Sequence, residues 1–153
     1  MTLTRNLLVS TDFSPASMLA LDAAAMLAKS FGAKVTIAHV FDPAPLAPVA
    51  TRTALSGAEQ LAMEQEYERH LHAELEKLRT SKLADIPDVK VALVLGSNAA
   101  DALCHYAEKE NVDLIVIATH GRTGLSRMLI GSVAERVVRH APCPVLTLRS
   151  KLA

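Results

Sequence analysis

The chain has 153 residues, half of them hydrophobic, and its 16 Lys and Arg balance its 16 Asp and Glu. That length suits one domain with a sizeable core, taken as residues 1–153, and the neutral balance gives no electrostatic reason to expect nucleic acid as a partner. Trp is absent and aromatics are 3%, which removes the stacking platforms of single-strand binders, and Cys104 and Cys143 lack the short spacings of a metal site and read as buried reduced thiols.

Arg5 precedes only three apolar residues, too few for a signal-peptide core or a membrane span, so a cytoplasmic protein without a membrane partner is expected. "NLLVS", Asn6 to Ser10, is a buried strand. A helix follows, with Ser14 as its cap, Pro15 at its first position and Gly32 as its stop. "AKVTIAHVF" is a second strand, short and β-branched; His39 within it reads as a packed or hydrogen-bonded residue. The Pro-rich stretch from Asp42 to Gly57 reads as a surface loop. From Ala58 to Leu83 the pattern is helical, with Tyr67, Leu71, Leu75 and Leu78 in one stripe and His70, His72 and the glutamates on a solvated face.

"VKVALVLG", Val89 to Gly96, is a third strand, and Lys90 points to a place near the sheet edge. A helix from Ala99 to Glu110 follows. "DLIVIAT" is a fourth strand, apolar throughout as expected when helices cover both faces. In the last helix Val133, Ala134, Val137, Val138 and Ala141 repeat at three and four; Pro142 and Pro144 end it, and "VLTLR", Val145 to Arg149, is a fifth strand. Strand and helix alternate, so the class is α/β: an open, mostly parallel, Rossmann-like sheet with helices on both faces. Such sheets bind ligands beyond the carboxyl ends of their strands, where the strand order reverses.

One loop lies at such an end. In "ATHGRTGLSRMLIGSVAERVV", Gly121, Gly124 and Gly131 permit positive φ and close backbone approach. Ser132 can cap the following helix, whose start concentrates free N–H groups, and Arg122 and Arg127 add positive charge. These features suit a phosphate chain. The segment contains no GK[ST], and the first strand leads into "STDFSPAS" and not GxGxxG, so neither a Walker loop nor a dinucleotide fingerprint is present.

The same segment resembles the nucleotide loop of the universal stress protein family, G-x2-G-x9-G-[ST]. Here it runs Ala118, two residues, Gly121, nine residues, Gly131, Ser132, with alanine in place of the first glycine. "NLLVSTDFS", "VTIAHVF" and "APCPVLTLR" resemble the family's first, second and closing strands. The resemblance implies a five-stranded sheet of order 3-2-1-4-5 and, in the branch keeping the glycine loop, ATP binding, with ADP or AMP as alternatives and Mg2+ or Mn2+ held through the phosphates. It implies that Ser10, Thr11 and Asp12 line the adenosine end and that Val40 meets the adenine through its backbone. Ala118, Thr119, His120, Gly121, Arg122, Thr123 and Gly124 would wrap the ribose and phosphates, and Gly131, Ser132, Val133 and Ala134 would supply helix-start amides and a hydroxyl. Each has a plainer alternative: Asp12 can cap a turn, His120 can be a polar loop residue, and Ser132 can be a helix cap alone.

The expected function is therefore a non-catalytic, ATP-binding stress or regulatory protein. A weak ATPase or adenylate-transfer enzyme, and an interaction module without nucleotide, are the alternatives. An apolar last strand at a sheet edge needs cover, so a homodimer through Val145 to Arg149 is expected, which the family resemblance also implies; other protein partners are not specified by the sequence.

Overall fold

Every strand of the computed structural model, which describes residues 4–43, 54–120 and 131–149, belongs to one parallel sheet. In chain order the elements are β1 (Asn6–Ser10), α1 (Pro15–Phe31), β2 (Lys34–Phe41), α2 (Gly57–Lys82), β3 (Val89–Leu95), α3 (Ala99–Lys109), β4 (Leu114–Ala118), α4 (Ser132–His140) and β5 (Val145–Leu148). The sheet runs β3-β2-β1-β4-β5, the expected order. Residues 44–53 of the Pro-rich segment lie outside the described residues.

Alternation along the strands sends residues to two cores. Leu7, Val9, Val35, Ile37 and Val116 pack under α1 and α2, whereas Leu8, Ala38, Ile115 and Ile117 pack under α3 and α4. Both faces are covered, which is why β4 reads as an unbroken apolar run. Ala20, Ala24 and Ala28 repeat every four residues on α1, and each is almost fully buried. Small side chains on that stripe let the helix lie close to the sheet. In α2 the expected stripe holds at Leu71 and Leu75, which are buried, while Tyr67 is partly exposed and meets the Phe41 ring at 5.4 Å. Each fully buried Leu or Ile contributes roughly 1.5–3 kcal/mol relative to exposure.

Two expectations need correction here. The period of the last helix places Val133 and Val138 on its buried face, but they are 39% and 51% exposed, while Ala134 and Val137 are buried. Residues adjacent in a helix point about 100° apart, and α4 meets the sheet along a narrower strip than five apolar positions suggest. Cys104 and Cys143 are free, as expected, but only half-buried; burial nevertheless pushes both thiols up from their ordinary range.

Lys90 does lie on an edge strand. Its ammonium donates to Glu110 at 2.8 Å, joining β3 to the end of α3. That hydrogen bond is the main cause holding the Glu110 carboxyl below its ordinary 4.5, and it raises Lys90 above its ordinary 10.5. A lowered carboxylate contributes stability above its unfolded value and loses it as pH falls through the folded one. A raised ammonium loses its contribution only as pH climbs through its own raised value. The pair thus acts across the neutral range and fades at both limits. In Lys90→Met, carboxyl NMR titration of Glu110 is expected to move back up toward the ordinary value; an unmoved titration would assign the shift to another cause.

Candidate functional site

β1 delivers the chain to a turn that is bonded on every side. The Thr11 N–H donates to the Ala38 carbonyl at 2.9 Å, continuing the ladder to β2. The Thr11 hydroxyl turns inward to Ser17 Oγ at 2.9 Å and accepts the Phe13 N–H at 3.0 Å. Asp12 Oδ1 accepts the Ser14 N–H at 3.0 Å, and Ser14 Oγ caps α1 by accepting the Ser17 N–H. Phe13 sits at φ 63. For a bulky L-residue this left-handed conformation costs about 1–2 kcal/mol, and it persists because the surrounding bonds over-determine it.

Across the sheet, β4 delivers Ala118, Thr119 and His120. Ala118 pairs with Leu148 in the ladder, and the Thr119 N–H donates to the Leu148 carbonyl at 2.8 Å. Among the described residues the non-glycine positive φ values are at Phe13 and Asn111, so Ala118 occupies ordinary strand backbone and its methyl group carries no conformational cost. His120 Nδ1 lies 2.9 Å from the Thr119 hydroxyl. The Gly131 N–H donates to the Thr119 carbonyl, closing the two ends of the loop on each other.

The start of α4 differs from expectation as well. Gly131, not Ser132, is the N-cap; Ser132 is the first helical residue and makes no capping bond. The reason is the Gly131–Thr119 contact, which begins the helix one residue early, with Glu135 N–H donating to the Gly131 carbonyl. Gly131 has φ −57, so its lack of a side chain serves close approach and not positive φ. A Cβ there would stand 2.7 Å from the Thr119 oxygen. Among the described residues, no side chain caps this helix.

These pieces surround a cavity of about 260 Å³ at the carboxyl end of the sheet. One wall is Ser10, Thr11 and Asp12 with Val40, and the other is Ala118, Thr119 and His120 with Gly131, Ser132, Val133 and Ala134. The expected residues from β1, β2, β4 and the last helix therefore converge. Gly121, Arg122, Thr123 and Gly124, with Arg127, lie outside the described residues. Four lining residues are not foreseen from the sequence: Ser17, His39, Ala99 and Ile117. Ser17 and Ala99 belong to helix starts whose convergence needs the fold, and His39 reads from its strand only as packed or hydrogen-bonded.

Three helix starts face this cavity, through Ser17 of α1, Ala99 of α3 and Ser132 to Ala134 of α4. Their dipoles make the region favourable for an anion. Two are already capped: Ser14 serves α1, and Asn98 Oδ1 accepts the Asp101 N–H of α3. Among the described residues, the α4 amides are the ones without a side-chain cap. Arg136 binds Asp101 through two nitrogens at 2.9 and 3.0 Å and ties α4 to α3. Among the described residues, no group of three or more His, Cys, Asp or Glu could hold a metal ion.

The universal stress protein family profile matches residues 4–149. Universal stress protein MJ0531 of Methanocaldococcus jannaschii is 35% identical over 95% of this chain and 82% of its own length. A putative universal stress protein of Staphylococcus aureus is 33% identical over 96% and 85%. The solved structure of hypothetical protein MJ0577 superposes with a TM-score of 0.83 at 25% identity, covering 99% of this chain and 100% of that one. The chain belongs to the universal stress protein family.

Proposed function

We propose that this universal stress protein binds an adenine nucleotide, ATP in the first place, in the cavity at the end of β1 and β4, and that occupancy is the signal it carries in a regulatory or stress response. The observation that carries the reading is the uncapped start of α4. Ser132, Val133 and Ala134 bring helix-start amides to the cavity wall beside a glycine whose missing side chain admits the Thr119 carbonyl. A phosphate oxygen supplies the acceptors that no side chain among the described residues provides there. Asp12, Ser10 and Val40 form the opposite wall, suited to the nucleoside, and a divalent cation would be held by the phosphates.

The role is binding, without turnover. Asp12 accepts from the Ser14 amide and His120 lies against its neighbour Thr119, an arrangement that orients a ligand. Among the described residues no helix is long and apolar enough to cross a membrane, and a cytoplasmic location fits a protein loaded with ATP. The unit is a homodimer: β5 is an edge strand, Leu146 on it is 37% exposed, and Val138 of α4 and Met26 of α1 are exposed apolar residues on helices that pack beside β5.

The test is the mass and ultraviolet spectrum of what freshly purified protein releases on denaturation, followed by thermal unfolding with ATP and Mg2+. Ligand at ~100 times its dissociation constant stabilises by roughly 2.7 kcal/mol, which for a domain of this size raises Tm by about 5–11 °C. The absence of both released nucleotide and a thermal shift at millimolar ATP would overturn the reading in favour of an interaction module, and turnover lost in a Gly131 variant would favour an enzyme.

A further inference from the structure

His39 stands two residues past Ile37 on β2, so alternation carries its side chain to the α1 side of the sheet, above the buried core. There it grips the β1–α1 turn twice. Its Nδ1 lies 2.8 Å from the Thr11 carbonyl, and its ring centroid lies 4.7 Å from that of Phe13. A carbonyl only accepts, so Nδ1 carries the hydrogen, in the neutral and in the cationic ring alike. Asp12 is held between these two contacts, with Thr11 on one side and left-handed Phe13 on the other. The backbone bond from the Thr11 N–H to the Ala38 carbonyl completes the attachment of the turn to β2. The start of α4 has its own anchor in the Thr119 carbonyl, which β5 holds through the Thr119 N–H.

We infer that His39 is a positioning residue for the nucleoside end of the site: acting through Thr11 and Phe13, it fixes where Asp12 meets the ligand, while the phosphate end is set separately at α4. This rests on the nucleotide-binding reading above. It also makes a mechanical distinction. A defect at His39 alters recognition of the nucleoside and leaves recognition of a bare phosphate chain intact.

The experiment measures binding of ATP and of inorganic tripolyphosphate, both with Mg2+, to the full chain and to His39→Phe and His39→Asn. Phenylalanine keeps a ring against Phe13 and removes the donor; asparagine keeps a donor near the Nδ1 position. Loss of a hydrogen bond to a buried carbonyl is expected to weaken ATP about tenfold in His39→Phe, with tripolyphosphate unchanged and ATP largely restored in His39→Asn. Hydrogen exchange at the Ser14 amide, read without ligand, should accelerate in His39→Phe and recover in His39→Asn, a response independent of any nucleotide. If the parent binds ATP, then unchanged ATP affinity, parallel loss of ATP and tripolyphosphate, or unchanged Ser14 exchange overturns the assignment of His39 alone. A parent that binds neither compound overturns the nucleotide reading and this inference with it, and the exchange data then show separately whether His39 holds the turn.

Discussion

Gly131→Ala is expected to lower ATP affinity between about fivefold and about 150-fold, the equivalent of about 1–3 kcal/mol of overpacking. The added methyl would stand 2.7 Å from the Thr119 carbonyl oxygen. Neither partner has room to give. Thr119 is tied to the Leu148 carbonyl through its own N–H, and Gly131 donates to the very oxygen that the methyl would strike. The start of α4 must therefore retreat, and its amides leave the cavity wall. Gly57→Ala is the matched control, because Gly57 opens α2 and a methyl group added there would meet nothing within 4 Å. Isothermal titration of both variants separates the cases. Affinity in Gly131→Ala equal to that of Gly57→Ala would mean that close approach at Gly131 does not build the site.

The second large effect is on assembly. Leu146→Lys is expected to convert a dimer into a monomer, read as a halving of mass by sedimentation velocity at micromolar concentration. β5 pairs with β4 along one edge, Ile115 to Ala118 against Val145 to Leu148, and lies at the end of the sheet order. Its other edge carries backbone donors and acceptors that a second strand can satisfy, and exposed strands of this kind are normally paired, covered or charged. Leu146 is apolar and uncharged, so pairing with a second copy about a two-fold axis is the simplest cover. Lysine places an ammonium on that contact in each chain, and like charges brought together across a strand pair are destabilising. A parent chain that sediments as a monomer would remove the proposal, and a dimer unaffected by Leu146→Lys would move the interface to another face. ATP binding measured in the same variant shows whether occupancy and assembly are linked.

Much of the architecture is legible in the sequence. Five short apolar runs separated by helical periods, Ser14 and Pro15 at a helix start, and Gly32 as a left-handed stop at φ 63 all stand where local chemistry puts them. Strand order comes from family resemblance, since periodicity identifies strands but not their neighbours. The candidate site is legible at Asp12, Val40, Ala118 and the Gly131–Ser132 pair because each lies at a strand end or a helix start, where ligand-facing backbone is concentrated. His39 escapes a sequence reading as a site residue because a histidine in an apolar strand looks the same whether its ring is enclosed or borders a cavity.

Within the sequence itself, then, lay the α/β class, most of the element boundaries and the position of an anion-favouring helix start, because these follow from side-chain period, capping chemistry and backbone freedom within a few residues. Tertiary structure alone decided that Gly131 and not Ser132 caps α4, that Val138 faces outward, and that Ser17, Ala99 and His39 border the same cavity as Asp12. Each of those depends on a contact between distant segments: the Gly131 amide on the Thr119 carbonyl, the His39 ring on the Thr11 carbonyl, α3 beside α4 through Asp101 and Arg136. Local propensity has no knowledge of which carbonyl the folded sheet will bring within hydrogen-bond reach, and here that choice sets the shape of the site.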